Sequence, residues 1–193
     1  MLYLIRHGTT TLNSPGLDQK IDERIRGWLE VPLDDNGHNQ AIRAGEALKE
    51  YNIEILYTST LLRAEQTCKE ISGVLNLSYI PKFELRPWNL GDLNGELVSV
   101  AIPVMQKYFE NKEDKLPGGE SYLNFYNRWK SLLFDLIKQS IDKNIAAVTH
   151  SRNLYCLNHI LTNGVAPIVF TGVPIPGGII EINAQSLSTT IIH

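Results

Sequence analysis

Cysteine is scarce in this 193-residue chain, which has only Cys68 and Cys156. The two lie far apart and lack metal-ligand spacing, so the sequence offers no disulfide framework and no thiolate metal site; both are expected as buried, reduced thiols. Long apolar runs are missing too. Leu2 to Ile5 is the whole apolar stretch before Arg6 and His7, far short of the about 7–15 apolar residues of a secretion signal. Nothing approaches the roughly 18 apolar residues of a membrane span. Nor is there an excess of one charge: 18 Lys+Arg stand against 21 Asp+Glu, a formal net charge of −3, with no long basic run. That balance argues against general nucleic-acid or anionic-membrane binding. Any bound anion must be held by a few well-placed cations. No internal repeat, linker or low-complexity tract interrupts the chain. At 43% apolar and 20% charged residues, the expectation is one soluble, cytoplasmic domain over residues 1–193 that folds without disulfide or metal.

The order of elements predicts an α/β fold. Leu2–Ile5 reads as a strand buried on both faces that opens into Arg6-His7-Gly8-Thr9-Thr10. Residues 14–36, rich in Pro, Gly and mixed charge, read as a loop. Asp34 or Asp35 can cap a helix from Gly37 to Tyr51, with Ala41, Ala44, Gly45 and Leu48 on a narrow apolar face. A strand over Ile53–Thr58, a helix over Leu61–Leu75 and a weak strand over Tyr79–Leu85 follow. A loop carries Trp88, Gly91 and Gly95. Residues 97–111 read as helical, with Pro103 expected to kink or end the helix. The clearest helix is Ser121–Ser140, with Phe125, Trp129, Leu132, Leu133, Leu136 and Ile137 as its core face. Ile145–Val148 is a second buried strand ending in a histidine, His150. A helix over Asn153–Leu161 and two terminal strands, 179–182 and 189–192, complete the chain. Strands alternating with helices imply a three-layer α/β/α sandwich with a mostly parallel, Rossmann-like central sheet.

In such sheets ligands sit beyond the carboxyl ends of the strands. Three polar clusters fall there: Arg6-His7-Gly8, Thr58-Ser59 with Arg63, and Thr149-His150-Ser151. Arginines, histidines and hydroxyls converging without matching carboxylates describe an oxyanion pocket, and a guanidinium suits phosphate bidentately. A neutral imidazole can also carry a phosphoryl group transiently. A metal site would need a third ligand in a recognisable spacing, and neither histidine has one nearby.

The order of motifs resembles the histidine phosphatase, or phosphoglycerate-mutase-like, superfamily. Arg6-His7-Gly8-x-Thr10-x-x-Asn13 is similar to its N-terminal signature, in which the histidine is phosphorylated. Gly27-Trp28, Pro32-Leu33 and Gly37-x-x-Gln40-Ala41 are similar to the next loop and helix. Thr58-Ser59-x-Leu61-Leu62-Arg63-Ala64-x-x-Thr67 looks like the motif that supplies a phosphate-binding arginine, and Gly118-Gly119-Glu120-Ser121 and Val148-Thr149-His150-Ser151 complete the series. The resemblance implies a metal-independent phosphomonoesterase. His7 is the nucleophile; Arg6, Arg63 and His150 bind the phosphoryl oxygens; Thr10, Asn13 and the Ser151 backbone N–H are further donors. No metal or organic cofactor is implied, and the partner is a small phosphorylated substrate, with room left for a homodimer.

One departure stands out. The family places its proton donor, a Glu, three residues into a Leu-x-Glu-x-x-x-Gly motif; here Leu85-Arg86-Pro87-x-x-x-Gly91 puts Pro87 there. The other family location, directly after the second histidine, holds Ser151. Glu84, Asp92 and Glu96 lie in or beside the same loop, and Asp92 is the favoured acid. Residues 96–120 carry no arginine and so read as a small lid of a phosphatase-type chain rather than the substrate segment of a mutase. Among the charges of loop 14–27 (Asp18, Lys20, Asp22, Glu23, Arg24, Arg26), most are expected to be solvated. Arg26, Gly27 and Arg152 are expected to line the substrate pocket. Two alternatives stay open: a vestigial member that binds a phosphorylated ligand without turning it over, and a phosphoglycerate mutase.

Overall fold

A computed structural model of the chain describes residues 1–12, 23–168 and 172–193. Its core is a six-stranded sheet. In chain order the strands are β1 (Leu2–Arg6), β2 (Ile55–Ser59), β3 (Tyr79–Lys82), β4 (Ile145–Thr149), β5 (Ile179–Ile182) and β6 (Thr189–Ile191). Across the sheet they run β3-β2-β4-β1-β5-β6. β3, β2, β4 and β1 are parallel; β5 pairs antiparallel with β1 and β6 antiparallel with β5. The sheet is mostly parallel, as expected.

Alternation along the central strands builds two cores. Leu2 and Leu4 of β1 and Ile145 and Ala147 of β4 point into one, with Trp129, Leu133 and Leu136. Tyr3 and Ile5 of β1 and Ala146 and Val148 of β4 point into the other, with Ala44, Leu48, Ala64 and Ile71. A strand apolar at every position is thereby buried on both faces, and each fully buried large side chain stabilises by roughly 1.5–3 kcal/mol. Helices α1 (Asp35–Leu48) and α2 (Leu62–Leu75) cover one face. Helix α4 (Tyr122–Gln139) covers the other, and α3 (Val98–Glu110) adds Ala101 and Met105 to the same core.

Local chemistry sets the helix starts. The Asp34 side chain accepts from the Gly37 N–H at the head of α1, and Ser121 accepts from the Asn124 N–H at the head of α4. Pro103 neither ends nor divides α3, which runs through it. Pro103 and Ser99, whose carbonyl the proline leaves without an N–H, are both exposed, so solvent can serve the orphaned carbonyl. The helix expected over 153–161 is instead two short ones, α5 (Ser151–Tyr155) and α6 (Leu157–Leu161), broken at Cys156. Cys68 and Cys156 are buried and unpaired, and Cys156 Sγ lies 3.0 Å from the Tyr122 hydroxyl. No helix among the described residues is long and apolar enough to cross a membrane.

Candidate active site

The register of β1 on β4 pairs Arg6 with Thr149, so the residues that follow, His7 and His150, emerge side by side. The His7 N–H donates to the Thr149 carbonyl at 3.1 Å, and the two imidazole centroids are 5.1 Å apart. Both histidines are buried. His7 Nδ1 lies 2.7 Å from the Gly8 carbonyl oxygen. A carbonyl only accepts, so Nδ1 carries the proton and Nε2 keeps its lone pair. The loop that presents His7 is held from behind. The Gly8 N–H donates to Thr67 Oγ1 at 3.1 Å, and Thr67 Oγ1 donates to the Arg63 carbonyl at 2.8 Å. Gly8 and Gly37 meet backbone to backbone: a Cβ on Gly8 would come within 2.4 Å of the Gly37 carbonyl oxygen.

β2 supplies the third corner. Ser59 Oγ lies 2.8 Å from His150 Nε2. Arg63, in the first turn of α2, is 2% exposed. Its Nη1 donates to the Leu29 carbonyl at 2.9 Å and its Nη2 to the Gly27 carbonyl at 2.7 Å. Arg6 Nη1 donates to the Pro174 carbonyl at 2.9 Å. After these bonds, Arg6 Nε, Arg26 Nη1, Arg63 Nε and His150 Nδ1 remain buried with no partner among the described residues. Buried N–H groups are rarely left so. Donors gathered around one histidine and lacking acceptors describe a place for an oxyanion.

The electrostatics agree. Burial, then Arg63 and Arg26, push the His7 imidazole well below its ordinary range. Burial, then Arg63 and His7, do the same to His150. Both rings are therefore neutral at neutral pH. Burial, with Arg26 next, lowers Arg63 to about 9, which leaves it cationic. Burial also lowers Arg6, Arg26 and Arg152. Clustered cations held out of water are relieved by a bound anion.

A cavity lined by His7, Arg26, Gly27, Arg63, His150, Ser151 and Arg152 opens over these groups. It brings together three of the four expected central residues and all three expected substrate contacts. Arg6 and Thr10 are not among its lining residues. Arg6 adjoins it through the charges it shares with His7 and Arg26, whereas Thr10 is buried in an antiparallel bridge to Leu33. Asn13 lies outside the described residues.

The acid expected in the 84–96 loop is not in the cavity. Glu84, Asp92 and Glu96 are all exposed and none lines it. Gly91, at φ +53, turns the chain onto the 117–119 turn. The Asp92 N–H donates to the Pro117 carbonyl at 2.9 Å, and its carboxylate sits against Gly118. Pro87 does line the cavity. Its carbonyl accepts from Trp28 Nε1 at 2.8 Å and from Arg128 Nη2 at 3.3 Å. Glu120 is committed to Arg128 Nη2 at 2.8 Å and to the Asn89 N–H at 2.9 Å. Among the described residues, no group of three or more His, Cys, Asp or Glu is placed to hold a metal ion.

The sequence did not single out Glu23 and Arg24, yet both line the cavity with Trp88, Leu90 and Val98. Residues 23–26 fold back onto 95–98. The Ile25 N–H donates to the Glu96 carbonyl, the Gly95 N–H to the Ile25 carbonyl and the Val98 N–H to the Glu23 carbonyl, each within 2.9 Å. The alternation Arg24-Ile25-Arg26 was the available signal for this extended pairing.

Beyond the carboxyl ends of a parallel sheet, two neutral histidines and buried guanidiniums describe an α/β protein with a candidate oxyanion site. The sequence profile of the histidine phosphatase superfamily (branch 1) matches residues 2–170, and the chain belongs to that superfamily of hydrolases. It is 29% identical to phosphoserine phosphatase 1 of Hydrogenobacter thermophilus over 166 residues, covering 80% of this chain and 74% of that protein. Over 165 residues it is 32% identical to phosphoglycerate mutase-like protein 4 of Arabidopsis thaliana, covering 80% and 69%. Its fold matches a mycobacterial glucosyl-3-phosphoglycerate phosphatase in complex with VO3, with a TM-score of 0.76, 22% identity and 99% and 96% of the two chains covered. A phosphoglycerate mutase from Thermus thermophilus matches with a TM-score of 0.71, 24% identity and 100% and 98% covered.

Proposed function

We propose that the protein is a metal-independent phosphomonoesterase that works through a phosphohistidine on His7. The carrying observation is the free Nε2 of His7, fixed by the Nδ1 bond to Gly8, among four buried N–H or ring nitrogen groups that lack partners among the described residues. In the first step the Nε2 lone pair attacks phosphorus, the P–N bond forms and the ester P–O bond breaks, its electron pair leaving on the ester oxygen, which takes a proton from water. Arg63 Nε, Arg26 Nη1 and Arg6 Nε donate to the non-bridging oxygens, where charge builds in the transition state. His150 contributes Nδ1–H when the Ser59 hydroxyl donates to Nε2. In the second step water attacks the phosphohistidine, the P–N bond breaks and inorganic phosphate leaves. Thr10, Asn13 and the Ser151 backbone are further candidate donors, and Arg152 and Gly27 candidate substrate contacts. The segment around 96–120, with α3, is the small lid of a single domain. The relatives' phosphatase names support this reading without extending their substrates to this chain.

The test is hydrolysis of p-nitrophenyl phosphate by metal-free protein with EDTA present, inhibited competitively by inorganic phosphate. Activity lost to the chelator and restored by zinc or magnesium contradicts the reading. A second reading, a ligand binder without turnover, rests on Pro87 in the cavity wall. It predicts saturable phosphate binding with no hydrolysis.

A further inference from the structure

The phosphoryl cavity has an apolar neighbour. A second cavity, of about 350 Å³, is lined mainly by Trp88, Ile102, Met105, Phe109, Tyr155 and Arg152. Trp88 and Arg152 also line the cavity that contains His7 and His150, so the two spaces share a wall. About 150 Å³ of apolar cavity suffices to hold a benzene ring. The second cavity therefore has room for a flat aromatic group beside the reacting phosphorus. Arg152 is positioned between the two, its guanidinium 5.7 Å from the Tyr155 ring centroid.

An independent observation concerns the proton. An alkoxide is a strongly basic leaving group and needs a general acid, worth typically 10²–10⁴-fold. Among the described residues, the two side chains that line both cavities, Trp88 and Arg152, supply none. Pro87 carries no side-chain donor, and the Trp88 indole N–H is committed to the Glu120 carbonyl at 3.0 Å. Among the described residues, Glu23 is the only carboxylate lining the phosphoryl cavity, and its charge acts on Arg6 and Arg26. Such a site favours leaving groups stable as anions. A phenolate is one, and its ring fits the apolar cavity.

Building on the phosphatase reading above, we infer that the substrates are small aryl phosphomonoesters, the phosphate esters of phenols, with the ring in the cavity beside Trp88. As the P–N bond to His7 Nε2 forms and the P–O bond breaks, the electron pair stays on the phenolate oxygen, which takes its proton from water. Water then attacks phosphorus, the P–N bond breaks, and the proton that water releases passes to solvent.

The experiment compares kcat/KM for 2-naphthyl phosphate, phenyl phosphate and O-phosphoserine. Phenyl phosphate should exceed O-phosphoserine by about 10²-fold or more, the missing acid's contribution. The naphthyl ester, with a leaving group of similar basicity, should exceed phenyl phosphate about 10-fold through burial of a second ring. Ile102 is 53% exposed, so Ile102→Lys should keep the melting temperature while bringing the naphthyl-to-phenyl ratio close to 1. O-phosphoserine turned over as fast as phenyl phosphate, or a naphthyl-to-phenyl ratio of about 1 in the unsubstituted protein, overturns the inference and leaves the phosphatase reading standing. A phosphotyrosyl peptide preferred over the naphthyl ester overturns its small-molecule part. Hydrolysis of none of these esters overturns both.

Discussion

His7 Nδ1 and the Gly8 carbonyl oxygen sit 2.7 Å apart, and this contact decides which nitrogen of the ring is free to react. Because burial, Arg63 and Arg26 also hold the imidazole neutral, the reactive Nε2 lone pair persists into mildly acidic solution. Nitrogen-detected NMR should find His7 as the Nδ1–H tautomer at pH 6, titrating well below 6.5. Titration near 6.5 would contradict the assignment.

The same shift has a sign for stability. A histidine with a lowered folded value binds fewer protons folded than unfolded, so stability is full above about 6.5 and falls as pH drops toward the folded value. With His7 and His150 both lowered, denaturant titrations between about pH 6.5 and 5 should lose up to about 1.4 kcal/mol per pH unit for each. His7→Asn should flatten part of that slope.

Arg63→Lys should be far from conservative. The guanidinium spends Nη1 and Nη2 on the Leu29 and Gly27 carbonyls, and its Nε has no partner among the described residues. An ammonium cannot brace the loop and face the phosphoryl group at once. We expect a loss of about 10²–10³ in kcat, or about 2–4 kcal/mol, measured on p-nitrophenyl phosphate. A loss under about 5-fold would remove Arg63 from the transition state.

A Cβ on Gly37 would stand 2.1 Å from the Thr9 carbonyl oxygen. Gly37→Ala should therefore push the Thr9 backbone off α1 and displace the loop that presents His7. Overpacking of this kind costs roughly 1–3 kcal/mol. Thermal melting should show that loss together with reduced turnover. Unchanged stability would mean that the loop and helix do not pack as described.

Much of this arrangement was legible because buried strands announce themselves. Leu2–Ile5 and Ile145–Val148 are apolar at each position and stop at Arg6-His7 and Thr149-His150, so their ends mark the site. A cap at Asp34 or Asp35 is legible for the same local reason, and the structure uses Asp34. Asp92 lies away from the cavity, because nearness in sequence does not say which way a turn faces and Gly91 turns it toward Gly118. The places of Glu23 and Arg24 are not legible in the sequence because they depend on hydrogen bonds to residues 95–98, about seventy positions away. The break at Cys156 carries no proline or glycine to signal it.

Pro87→Glu places a carboxylic acid in the cavity wall without removing a backbone hydrogen bond, since proline donates none. Turnover of O-phosphoserine should rise relative to phenyl phosphate, narrowing the gap by about 10-fold or more. A constant ratio would show that position 87 does not face the leaving group.

The central claim is that His7 carries the phosphoryl group, and rapid quenching during turnover of phenyl phosphate tests it most directly. With an alkaline quench, which preserves the acid-labile P–N bond, peptide mass spectrometry should find phosphate on His7 alone, and none in His7→Asn protein. Steady turnover with phosphate on His150, or with no phosphorylated histidine at any time point, would contradict the account.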